Sequence, residues 1–235
     1  MVLLSFFSVG LYSCGDDDND ETGNNQGNGA SAYNLQSYYI CPDENHPHLI
    51  DLGLPSGTKW SCCNIKATTP EDFGGYYAWG EIEVKGQYDL YNYSYWQDLD
   101  EDREFDENEL TGIDSDIAGT PNDVAHMTWG GPWKIPTKEQ YEELVKNTTS
   151  VWTKQNGVKG RKFVGNNGGI IFLPAGGAYL YGNSYVSERG EYCLYWYSSR
   201  PRTISCFFSK EAGSWMTFGD ASPFNGMLVR PICYK

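Results

Sequence analysis

Between Asp98 and Glu109 the chain spaces its carboxylates as a calcium loop does. Asp98, Asp100, Asp102, Glu104, Asp106 and Glu109 fall at positions 1, 3, 5, 7, 9 and 12 of an EF-hand-like loop, with Phe105 at the apolar eighth place. Hard oxygen ligands at that spacing can wrap a calcium ion, and the candidate ligands are Asp98, Asp100, Asp102, Asp106 and Glu109. Two positions depart from the pattern. Arg103 stands at position 6, where the sharp turn calls for Gly, and Glu104 stands where a backbone carbonyl is expected. No flanking helices are evident, so a solvated acidic loop is the competing reading. The sequence points to no other cofactor.

Just upstream, Tyr91-Asn-Tyr-Ser-Tyr-Trp96 sets Tyr91, Tyr93, Tyr95 and Trp96 beside the acidic run. Aromatic faces suit stacking on a sugar ring, and these residues are the ligand-binding candidates, for a glycan or a protein. With 18 Tyr and 8 Trp spread along the chain, most such rings must belong to the core. Other chemistry is harder to assemble. His46-Pro-His48 supplies two imidazoles, which cannot close a zinc site without further ligands. His126 has no visible partner for acid–base work and reads as structural. Gly165-Asn-Asn-Gly-Gly169 lacks the Lys-Ser/Thr ending of a phosphate loop and opens no helix. No nucleophile stands with a base at a diagnostic spacing, so no catalytic residue is assigned and the chain is read as a non-enzyme.

The element that must organise these loops runs from Trp129 to Leu144. Pro136 pushes Ile135 out of the helical region. Thr137 is a good N-cap, and Gln140 completes a capping box. Glu139, Glu142 and Glu143 lie in the first turns, where the helix dipole favours negative charge. Tyr141, Leu144 and Val145 share one face, which packs inward. Trp129 and Trp133 bracket a Gly-Gly-Pro turn that only buried indoles would hold. A second helix start is read at Thr120-Pro-Asn-Asp123, with Pro121 at the first helical position and Val124, Met127 and Thr128 facing inward.

Strands supply the rest. Residues 48–64 read as a hairpin closed by Leu54-Pro-Ser-Gly57. Residues 152–164 read as a hairpin turned by Asn156-Gly157. Ile170 to Pro174 reads as a strand buried on both faces, and residues 192–199, 203–208 and 214–218 as further strands. The 27 Gly among many aromatics favour a loop-heavy fold of short strands over a helical bundle. A hydrophobic content of 40% with 15% aromatics is enough for a core rich in Tyr and Trp. The net charge of −14 argues against a nucleic-acid partner and against an anionic membrane bound through a basic patch.

The amino terminus carries its own message. An apolar run ends in Leu11-Tyr-Ser-Cys14, followed by Gly15-Asp-Asp-Asp18. The run is too short to span a bilayer and reads as a signal-peptide core. Its ending resembles a bacterial lipobox, in which Cys14 would be diacylated and become the new terminus. The acidic residues after it resemble the export signal of Bacteroidetes-type surface lipoproteins. The organisation expected is therefore a lipoprotein signal peptide over residues 1–14, a disordered acidic Asn/Gly tether over 15–37 and a folded domain over 38–235.

Runs throughout the folded part carry a family resemblance. Trp129 to Leu144 resembles the W-G-x-x-W-[KR]-[ILM]-P-T core of the Fibrobacter succinogenes major paralogous domain. Asp51 to Asn64 resembles its VDLGLPSGTKWATCN opening, and Pro70 to Glu81 its PEDYGDYYAWGE run. Ile171 to Gly176 is similar to IFLPAAG, and Gly226 to Ile232 to the terminal VRPV strand. Lys134 replaces the usual Arg, and Ile117 to His126 resembles the I-x-GT-x-YDVA-x lead-in, with Asn122 where an aromatic is common. More distantly the helix looks like that of Lcl C-terminal domains and of formylglycine-generating-enzyme-like proteins.

The resemblance implies an α+β, C-type-lectin-like fold: short mixed and antiparallel strands, two short helices and long loops. In such folds the last strand lies near the first, which implies proximity of Cys233 to Cys62 and Cys63. With Cys14 lipidated, the 7 Cys leave an even set in an exported chain. Of many connectivities, Cys63–Cys233 and Cys193–Cys206 are preferred, the second as cross-strand neighbours. The function expected is a non-enzymatic binding module on the cell surface, held by an outer-membrane lipid anchor. A structural component of the envelope and an enzyme of formylglycine-generating type are the alternatives. The Glu-Pro-Asn, Gln-Pro-Asp and Trp-Asn-Asp triplets of calcium-dependent sugar-binding lectins are absent, so sugar specificity does not transfer from the fold.

Overall fold

The computed structural model describes residues 48–199, 204–209 and 216–233, and the side chains of all but 204–209 and 216–220. The segments expected to be a signal peptide and a tether, with Cys14, lie outside the described residues, as does His46. What is described is α+β, with antiparallel pairing between all neighbouring strands.

The first sheet joins the two ends of the domain. Strands β1 (Leu49–Asp51) and β2 (Lys59–Ser61) form the expected hairpin, turned where the Gly57 N–H donates to the Leu54 carbonyl. The sheet continues through β10 (Ile232–Cys233) to β3 (Trp133–Lys134), in the order β1-β2-β10-β3. Ile232 stands opposite Trp60 on one side and Lys134 on the other. A second sheet holds β4 (Thr148–Gln155), β5 (Val158–Gly165) and β6 (Ile170–Pro174). Asn156 and Gly157 join its first two strands with φ of 47° and 85°, the paired positive values a tight hairpin turn needs. The third sheet is β7 (Tyr192–Trp196), β8 (Ile204–Ser209) and β9 (Met216–Asp220).

Helix α2 (Lys138–Asn147) forms as its residues dictate. The Thr137 hydroxyl accepts from the Gln140 N–H at 3.3 Å, and the Gln140 amide oxygen accepts from the Thr137 N–H at 2.8 Å. Tyr141 and Leu144 are fully buried, and the Tyr141 ring tilts against Trp60 of β2 at 5.1 Å. The helix ends without a glycine. Asn147 donates to the Glu143 carbonyl and Thr148 to that of Leu144, which satisfies terminal acceptors as the chain extends into β4.

Helix α1 (Val124–Trp129) starts later than the Pro121 reading predicts. Asp123 is its N-cap, accepting from the Ala125 and His126 N–H groups while also receiving those of Gly119 and Ile135. Four backbone donors on one buried carboxylate outweigh proline's preference for the first turn. The shift in frame also moves the inward face. Ala125 and Trp129 are buried, while Met127, expected inside, is 46% exposed. Trp129 and Trp133 meet edge to face at 5.1 Å across the Gly-Gly-Pro turn.

The core has two clusters, and β7 is the wall between them. Its odd residues Cys193 and Tyr195 pack into one cluster, its even residues Leu194 and Trp196 into the other. Such strict alternation is what a strand buried on both faces produces. Arg230 crosses the same interior. It is fully buried and donates to the Asn64 side chain and to the carbonyls of Ser61 and Phe172.

Neither expected disulfide forms. Cys63 and Cys193 are buried thiols, whereas Cys233 is disulfide-bonded, though not to Cys62, Cys63 or Cys193. Register explains both outcomes. The antiparallel β2–β10 ladder sets Cys233 opposite Lys59, so Cys63 recedes along the other strand, to where Ile65 bonds Val229. On β7, Cys193 faces Phe208 and Tyr195 faces Cys206. The two cysteines are thus diagonal, and diagonal neighbours sit about 7–8 Å apart, beyond disulfide reach.

Candidate ligand-binding loop

The segment from Glu81 to Leu110 is a long excursion whose root is tied down. Glu81 is buried and accepts both the N–H and the hydroxyl of Ser94 through Oε1, while its Oε2 pairs with Lys85 Nζ at 2.5 Å. Lys85 in turn donates to the Asn92 carbonyl. Tyr88, buried below, donates to the Tyr76 carbonyl; burial pushes its phenol up to about 12. Further out the excursion narrows to a neck. Trp96 bridges Leu110, Gln97 donates to the Glu109 carbonyl and Thr111 to that of Tyr95. Residues 98–106 form the tip.

The four aromatic candidates part company. Tyr91 is 65% exposed and stands edge-on to the half-buried Trp96 at 5.8 Å. Tyr93 is core: its ring is buried and its hydroxyl donates to the Trp79 carbonyl. Tyr95 is half-buried, with its hydroxyl receiving the Asn122 amide, and burial raises its pKa. A short 3-10 helix, Leu90–Asn92, explains the split. It breaks the period of two, so Tyr91 turns outward while Tyr93 two residues later turns in. Tyr91 and Trp96 remain as the accessible pair.

The five carboxylate candidates also divide. Asp98, Asp100 and Asp102 converge, with one ligand atom from each within 4.8 Å of the others. The turn that Gly makes in a calcium loop is made here by non-glycine residues: Glu101 and Arg103 take φ of 63° and 64°. Asp106 instead caps a 3-10 helix, Glu107–Glu109, accepting from the Asn108 N–H. Glu109 points inward. Its Oε1 accepts from the Leu99 N–H at 2.7 Å and its Oε2 from the Trp96 indole at 2.8 Å. These donors, the Leu99 N–H first, lower its pKa below the ordinary value. The expected set of five ligands is therefore a set of three, with Asp106 and Glu109 holding the loop's shape.

Sequence reasoning missed a second loop that joins this surface. Tyr181, half exposed, packs edge-on to Phe224 at 5.3 Å, and Phe105 of the acidic run packs on the same ring at 5.6 Å. Its signal was present: Tyr181 and Tyr185 flank Gly-Asn-Ser, a turn composition in which an aromatic has little core to enter.

His48 Nδ1 lies 3.5 Å from the Cys62 sulfur, and Asp98, Asp100 and Asp102 are the one convergent group of metal-ligating side chains among the described residues. An open groove of about 620 Å³ runs along α2 beside Pro55 and Ser56. The Ser56 hydroxyl there bonds Glu143 and Thr58, a strap between loop and helix that includes no imidazole. Comparison with protein-family models, curated proteins and solved structures gave no match.

Proposed function

We propose that this chain is a non-enzymatic, lipid-anchored cell-surface protein of the Fibrobacter succinogenes major paralogous domain family. Its domain has a C-type-lectin-like fold and binds a glycan or protein ligand through the Tyr91–Glu109 loop. One observation carries the reading. An exposed Tyr91 stands edge-on to Trp96, whose indole is pinned by Glu109, in the same loop as three converging carboxylates, two of them exposed. Aromatic faces held rigid next to polar groups bind rings at small entropic cost. The disulfide at Cys233 supports an oxidising compartment outside the cytoplasm.

A second reading, a packing module of the cell envelope, draws on the burial of Tyr93. A glycan array probed with the soluble chain separates the two. The binding reading expects discrete hits that Tyr91→Ala weakens at least tenfold. Hits unchanged in that variant, or no hits, leave the envelope reading in possession.

A further inference from the structure

Buried guanidinium groups are costly unless their donors are met, and Arg230 and Arg161 differ sharply in that respect. Arg230 is satisfied through Nε and both terminal nitrogens, as described above. Arg161, on the core-facing side of β5, is 5% exposed and makes one side-chain hydrogen bond with the described residues, from Nη1 to the Ser150 hydroxyl at 3.2 Å. Its Nε is buried with no acceptor. Among the described residues its Nη2 also lacks one, and no carboxylate of theirs pairs with the side chain. The buried Cys193 thiol nearby is pushed up to about 12 and stays neutral, so it supplies no counter-charge. Burial lowers the pKa of Arg161 itself, as expected of a cation without an anion.

The open donors share one geometry. Nε–H and Nη2–H point the same way, along the edge of the fork that accepts a carboxylate with two parallel bonds. Ser150 fixes the opposite side of the guanidinium and so orients that edge. The strand beside it, β4, is the outer strand of its sheet and pairs with β5 alone.

We propose that Arg161, oriented by Ser150, is a binding site for a carboxylate group, held two-pronged on its Nε and Nη2 edge. The site is separate from the Tyr91 loop and does not depend on the function proposed for it.

Thermal unfolding of the full chain in acetate, against chloride and neutral acetamide at equal ionic strength, tests this. Acetate is expected to raise Tm saturably by about 2–4 °C above both controls. Arg161→Met is expected to abolish that rise. No rise over chloride in the unsubstituted chain, or an equal rise in Arg161→Met, overturns the site and leaves the edge to water. Should the variant misfold, the Nε–H resonance of Arg161 in the unsubstituted protein decides. Acetate must displace it where acetamide does not, and an unmoved resonance overturns the proposal.

Discussion

The Trp129–Asn147 segment and the Tyr91–Leu110 segment are built from the same residue types and end up with opposite uses. Both carry paired aromatics, a capping box and several carboxylates. In the first, both indoles are buried and the helix that follows seats Tyr141 on Trp60. In the second, one aromatic of the pair stays in solvent and the carboxylates crowd together at the tip. What differs is the apolar frame behind each. A helix face puts Tyr141 and Leu144 on one side by its period, so its aromatics have a core to enter. A loop interrupted by 3-10 turns offers no such face, and its side chains are placed one at a time by hydrogen bonds. Rigidity in the loop therefore comes from polar anchors, with Glu109 chief among them.

The largest effect that would break this contrast is on stability. Trp133→Ala should cost about 3–5 kcal/mol in denaturant unfolding, whereas Tyr91→Ala should stay within about 0.5 kcal/mol. Equal losses would mean that the loop is part of the core after all. A smaller, local effect concerns Glu109. Its folded pKa lies below the ordinary value of 4.5, so its contribution is complete above that pH and is lost as pH falls through the lower folded value. Near-ultraviolet circular dichroism should report Trp96 loosening at a midpoint under 4.5, and Glu109→Gln should remove that transition. A midpoint above it would show that the anchor is not ionised in the fold. The smallest effect is that of calcium. Three carboxylates from one exposed loop predict weak affinity, with millimolar calcium raising Tm by about a degree or two and Asp100→Asn cancelling the rise. An unchanged Tm in the unsubstituted protein removes calcium from the site.

Local chemistry made much of the fold readable in advance. The Thr137–Gln140 box, the Asn156-Gly157 turn and the Leu54–Gly57 turn each depend on residues a few positions apart, and each stands where its residues put it. Helix α1 was misplaced because the deciding partner of Asp123 is the Ile135 N–H, contributed from beyond the helix. The cysteine pairings failed for a related reason: proximity of strands is legible, but register sets which side chains face each other. The candidate site was half legible. Its location in the Tyr91–Glu109 run followed from composition, while the division between outward Tyr91 and inward Tyr93 required the 3-10 helix at Leu90–Asn92.

Sequence alone determined the cap of α2, the turn types, the two-sided burial of β6 and the acidic, aromatic character of the excursion. These are set by short-range sterics and by periods of 3.6 and 2, which a chain carries with it. Tertiary structure alone decided that three of the loop's carboxylates converge while Glu109 turns inward to hold Trp96. It also decided that Arg161 reaches a core position with half its fork open. Those outcomes rest on which distant groups arrive within hydrogen-bonding distance, and no local period encodes that.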